Sequence, residues 1–106
     1  KKDRRLAKEW YGRASDAGMD SSTTQLGVMY HEDGNDDKAF ALFKEAADRG
    51  FPEAMGWLAA CYQYGYGTEV NSLAAVQWLE KAASLGSREA EQALQYLYKE
   101  IKGMKS

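Results

Sequence analysis

Few side chains in this 106-residue chain could do chemistry. His31 is its only histidine and Cys61 its only cysteine. A nucleophilic cysteine needs a neighbour that makes its thiolate, and a metal centre needs several ligands converging on one point. Cys61 has no histidine at a recognisable spacing and shares an inward apolar stripe with Leu58 and Tyr62. It is expected to be a buried structural thiol. His31 is followed by Glu32 and Asp33, which project elsewhere from a helix, so it is expected at a solvent-facing helix end with no metal. One cysteine allows neither an internal disulfide nor a thiolate cluster. Gly65-Tyr66-Gly67 lacks the following Lys-Ser/Thr of a phosphate loop and reads as a connector. The carboxylates are scattered over polar faces without an acid/base pair. No cofactor and no catalytic residue are expected.

The charge balance excludes other classes. A formal net charge of -2 does not fit nucleic-acid binding, which needs a clustered basic face. The basic start, Lys1-Lys2-Asp3-Arg4-Arg5, is interrupted by Asp3 and Glu9 and reads as a solvated helix end. No apolar run approaches the ~20 residues of a membrane span, so no membrane insertion is expected. A lone cysteine suits the cytosol without excluding a secreted protein. The chain starts at Lys rather than Met, which leaves the compartment open: cytoplasmic, or periplasmic or secreted if an upstream signal was removed.

The elements that position these residues are signposted as helices. Lys2 to Ala17 predicts the first, with Leu6, Ala7, Trp10, Tyr11 and Ala14 at three- and four-residue spacing, and Gly18 ends it. Ser21 or Ser22 is the expected cap of a second helix, running to about Glu32. Asp33-Gly34-Asn35 is turn chemistry. Asp36 is the expected cap of the third, which buries Ala39, Leu42, Phe43, Ala46 and Ala47 and closes at Gly50. Pro52 opens the fourth, where its missing N–H costs nothing. Asn71 or Ser72 caps the fifth and Ser87 the sixth. The sixth carries Ala90, Ala93, Leu94, Leu97, Tyr98 and Ile101 on one side, with Lys99, Lys102 and Lys105 complementing its carbonyl end.

These helices repeat. Ala46-Ala47 and Gly50 return 36 residues later as Ala82-Ala83 and Gly86. Ala39, Phe43, Ala54, Leu58 and Tyr62 return at the same offset as Ala75, Leu79, Ala90, Leu94 and Tyr98. A fixed period in this range, carried by small residues and aromatics, marks a helical array whose units bury their apolar faces only by stacking. The expected fold is all-α: an α/α solenoid of antiparallel helix pairs, about six helices in one domain.

Gly50-Phe51-Pro52-Glu53-Ala54, Leu58-Ala59-Ala60-Cys61-Tyr62, Gly65-Tyr66-Gly67, Ala75, Trp78-Leu79, Ala82-Ala83 and Gly86 together resemble one Sel1-like repeat, a relative of the tetratricopeptide repeat. An earlier copy reads Leu26-Gly27-Val28-Met29-Tyr30, Gly34, Ala39, Leu42-Phe43, Ala46-Ala47 and Gly50. Its connector is four residues shorter. Ala59 and Gln95 stand where the family usually has glycine, so Ala59 is expected to push its neighbours apart, and the sixth helix to be a partly exposed cap. In the family's phase the first helix closes a repeat that has no opener. The resemblance therefore implies a half repeat over 1–18, repeats over 19–50 and 51–86, and a half repeat or cap over 87–106. It implies a chain that continues upstream, an N-terminal capping helix being the alternative.

The resemblance implies a non-catalytic scaffold that binds a protein or peptide on the concave face lined by opening helices, with no nucleic acid, and as a monomer. The positions expected there are Ser21, Thr24, Val28 and His31; Glu53, Gly56, Ala60, Gln63 and Tyr64; and Glu89, Gln92, Tyr96 and Lys99. Tyr64 and Tyr96 have no evident packing duty, and exposed tyrosines often anchor partners. The alternatives are a structural spacer or oligomerisation module and, further off, a β-lactam-binding hydrolase like cysteine-rich relatives, against which the single cysteine argues.

Overall fold

The computed structural model describes residues 2–105, and the side chains of residues 3–103. Lys1 of the basic start and the side chains of Lys2 and Lys105 lie outside them. The described residues form six α-helices: α1 (Lys2–Asp16), α2 (Asp20–Glu32), α3 (Asp36–Asp48), α4 (Pro52–Tyr64), α5 (Ser72–Ser84) and α6 (Arg88–Lys105), with no strand among them. Each packs on the helix before and after it in the chain, and α2 also touches α4. The stack measures 50 × 27 × 20 Å with a radius of gyration of 14.4 Å. A compact chain of this length would have a radius of about 13 Å. The elongation follows from nearest-neighbour stacking.

Asn71 and Ser87 cap α5 and α6 as their residue types predict. Their side-chain oxygens accept from the N–H groups of Ala74 and Ala90, each at 3.1 Å. Two expected caps are displaced. Met19 takes the N-cap position of α2 with no side-chain bond, and Asn35 rather than Asp36 caps α3, accepting from the Lys38 N–H at 3.4 Å. Asp36 is instead drawn to His31, with Oδ1 2.7 Å from Nδ1.

The core shows why alanine recurs. Ala46, Ala47, Ala54, Ala75 and Ala82 are fully buried, and their small side chains allow helices to approach closely. Phe43, Met55 and Leu58 fill the spaces between pairs. Burying a side chain of that size stabilises by about 1.5–3 kcal/mol. Ala59 is 1 % exposed within this core, beside a Leu79 that replaces the Phe43 of the earlier pair. The smaller leucine provides the room the methyl needs, and α4 and α5 remain packed.

The expected apolar stripes are partly broken. On α1, Leu6 and Trp10 are exposed while Ala7, Tyr11 and Ala14 are half-buried. Trp78 on α5 is also only half-buried. On α6, Ala90, Leu94 and Leu97 are buried, but Ala93 and Tyr98 are exposed. The Tyr98 hydroxyl donates to Glu80 Oε2 at 2.8 Å. Gln95 is exposed, which avoids the burial of an amide on a terminal helix.

Successive pairs are also tied by charge. The Arg4 guanidinium donates to the Met29 carbonyl at 2.9 Å, to Asp33 Oδ1 at 2.8 Å and to Glu32 Oε1 at 3.0 Å. The Met29 carbonyl also accepts from the Asp33 N–H at 3.0 Å, so the guanidinium adds a second bond there and ties α1 to the end of α2. Lys8 binds the other Asp33 oxygen.

Candidate partner-binding surface

The opening helices α2, α4 and α6 divide the expected binding positions into three groups. Thr24 cannot be a contact residue: it is 1 % exposed, and its hydroxyl donates to the Asp20 carbonyl at 2.8 Å. That internal bond is what allows a polar side chain to be buried between helices. Val28 is half-buried against the core, and Ala60 and Gln63 are half-buried.

His31 is a structural anchor rather than a solvent-facing helix end. Besides Asp36, it meets Tyr66, with ring centroids 4.6 Å apart, and Trp57 at 6.3 Å. Tyr66 comes from the connector between α4 and α5, so His31 holds that connector against the ends of α2 and α3. Gly67 makes the approach possible. Its φ is +73°, and a β-carbon there would collide with the Asp36 carbonyl. Sequence spacing could not reveal this group, because Tyr66 reaches His31 only through the fold.

The remaining positions are exposed. Tyr64 and Tyr96 are 59 % and 62 % exposed, and Ser21, Glu53, Glu89, Gln92 and Lys99 are exposed too. The Tyr64 ring lies 5.6 Å from Tyr66. Three of the expected positions come together: Glu53, Gly56 and Glu89 line a cavity of about 670 Å³ between α4 and α6. Its apolar lining comes from Trp57, Leu79, Leu85, Ala90 and Ala93, none of which spacing had assigned to a surface. Gln63, Tyr64, Gln92, Tyr96 and Lys99 do not line it. The volume lies within the range of small-ligand and peptide pockets.

Cys61 is 2 % exposed, and burial, with Asp36 adding its charge, pushes its thiol up to about 11. At neutral pH it is a protonated core side chain. Among the described residues no three His, Cys, Asp or Glu side chains group to hold a metal ion. No helix among them is long and apolar enough to cross a membrane.

The Sel1 repeat family model matches residues 1–19, 21–51 and 52–87. The chain belongs to the Sel1 repeat family. It is similar to a Sel1 repeat protein from Oxalobacter formigenes, whose crystal structure superposes with a TM-score of 0.77 at 31 % identity, covering 82 % of this chain and 68 % of that one. It is also similar to c5321, a protective antigen of uropathogenic Escherichia coli with the same repeat fold: TM-score 0.80, 30 % identity, 88 % of this chain and 21 % of that one. In sequence it is 30 % identical over 98 residues to DAP3-binding cell death enhancer 1 of Rattus norvegicus, covering 91 % of this chain. It spans only 19 % of the length of that relative. Sel1 repeat proteins are generally non-catalytic scaffolds for protein–protein interaction.

Proposed function

We propose that this Sel1 repeat array is a non-catalytic adaptor that captures a protein or peptide segment on the face formed by α2, α4 and α6, acting as a monomer and without a role in nucleic-acid binding. The observation that carries the reading is the cavity between α4 and α6, where two opening helices part over an apolar floor. Solenoids present extended surfaces of this kind because each unit contacts only its neighbours. Exposed Tyr64 and Tyr96 flank the same face and supply large contact area with few rotatable bonds. The non-catalytic reading is supported by Cys61, which is buried and protonated, and by His31, which is held by Asp36; neither is poised as an activated nucleophile or its base.

The test is selection of binders from an unbiased displayed-peptide library, followed by mapping of amide chemical-shift changes. Shifts concentrated on α2, α4 and α6, with affinity reduced by Tyr64→Ala/Tyr96→Ala, support the reading. A footprint on α3 and α5 alone overturns it. Equilibrium sedimentation giving a stable dimer would overturn the monomer and favour an oligomerisation role.

A further inference from the structure

Trp57 and Ala93 occupy equivalent positions on successive opening helices, as Phe43 and Leu79 do on successive closing helices, each pair 36 residues apart. Trp57 lies flat on Phe43, with centroids 5.5 Å and planes 12° apart. It closes the space between α2 and α4, which touch. One pair further along, both bulky partners are missing: alanine stands in the place of the indole and leucine in the place of the phenyl ring. Both Ala93 and Leu79 line the 670 Å³ cavity. The cavity therefore lies where the preceding pair of helices is filled by a stacked aromatic.

The rim is acidic. Glu53 and Glu89, again 36 residues apart, line the cavity from α4 and α6. Both are exposed, and neither makes an ion pair among the described residues. Asp20, at the same end of α2, has Arg49 at 3.2 Å. Arg88 is exposed beside Glu89 but does not line the cavity.

We propose that the cavity between α4 and α6 binds a peptide segment in which an aromatic side chain sits next to arginine or lysine. The inference rests on the opening-helix face being the binding surface. The aromatic ring lies over Leu79 as Trp57 lies over Phe43, and the cation is taken by Glu53 and Glu89. Aromatic anchors in desolvated pockets carry most interface energy, and rim charges of opposite sign select the partner and speed its approach.

The probe is a fluorescein-labelled hexapeptide with tryptophan between arginine and lysine. Control peptides replace the tryptophan by serine, or both cations by glutamate. Wild type should bind the probe saturably, and either control about tenfold more weakly or worse. Ala93→Trp should abolish binding by supplying the missing ring, without lowering Tm. Glu53→Gln/Glu89→Gln, which leaves packing untouched, should weaken binding about fivefold and flatten its salt dependence. The proposal is overturned if wild type does not bind the probe, if Ala93→Trp binds it as well as wild type, or if the glutamine variant retains full affinity. Library-selected peptides separate the two readings. A footprint on α2, α4 and α6 that survives Ala93→Trp sinks the cavity and spares the surface, whereas a footprint elsewhere sinks both.

Discussion

Phe43 leaves no room for a β-carbon at residue 27. One built on Gly27 would lie 2.6 Å from Phe43 Cε1 and 2.9 Å from Cδ1. The ring has nowhere to go, being 1 % exposed and stacked with Trp57. The glycine of α2 and the phenylalanine of α3 are therefore one packing unit. Its counterpart in the next pair is Ala59 with Leu79, in which a methyl is gained on one helix and a ring lost on the other.

Gly27→Ala should destabilise the fold. Overpacking a filled core costs about 1–3 kcal/mol, offset by about 1 kcal/mol of improved helix propensity. Because the contact at 2.6 Å is with a ring that cannot move, the cost should fall at the upper end of that range, leaving a net loss of up to about 2 kcal/mol, or several degrees of Tm in a domain this size. In a Phe43→Leu background the same substitution should be neutral or stabilising, because it recreates the Ala59/Leu79 combination. A thermal double-mutant cycle reads the coupling. Equal penalties in both backgrounds would show that the ring contact is not the cause.

The repeat was legible in the sequence because close helix approach restricts which residues fit at Ala39, Ala46, Ala47, Ala54, Ala75 and Ala82, and those restrictions recur with the period. Caps written in a single local residue, Asn71 and Ser87, were legible for the same reason. What failed depended on side-chain contacts that residue type and spacing alone do not encode. Asp36 had the right type to cap α3, but His31 competes for its carboxylate. Thr24 looked like a surface residue because its internal bond to Asp20 and its covering by adjacent helices leave no mark in spacing. The cavity stood in the sequence as the mismatch of Trp57 with Ala93. Nothing in that mismatch alone told whether another side chain would fill the space.

Asp33 should account for part of the acid sensitivity of the fold. Hydrogen bonds from Lys8 and then Arg4 hold its carboxyl below the usual range. The unfolded chain thus takes up this proton first as pH falls below about 4. The stabilisation is present above that pH and lost as pH falls through the native value. Wild type should lose more Tm than Asp33→Asn between about pH 5 and pH 2, and the gap should shrink in high salt because all three groups are near the surface. Parallel Tm curves for the two proteins would remove Asp33 from the account.

The connector between α4 and α5 should tolerate no side chain at Gly67. A substituent there meets the Asp36 carbonyl and the Phe40 Cβ, and φ is +73°, a region L residues adopt only at a penalty. Gly67→Ala should lower Tm and release Tyr66 from His31, read as loss of ring-current shifts on the histidine protons. Gly103→Ala, with open space around its β-carbon, should leave Tm unchanged or raise it. If Gly67→Ala behaves like Gly103→Ala, the connector is not held against α3.

Cys61 should report the opposite end of the pH scale. Its thiol is 2 % exposed and pushed up to about 11 by burial, while in the unfolded chain it ionises near 8.5. Between those values the unfolded state holds fewer protons, so the contribution is complete below about pH 8.5 and lost as pH rises toward 11. Tyr98 is raised too, by its bond to Glu80, so the slope must be taken as wild type minus Cys61→Ala. Urea titrations should show that difference shrinking with pH, by an amount on the order of 3 kcal/mol across the window. At pH 8 a thiol reagent should label the native protein only as fast as the core opens, and the logarithm of the labelling rate should rise in Gly27→Ala in proportion to its lost stability. Labelling at the rate of a free cysteine would mean that α4 does not bury this side chain.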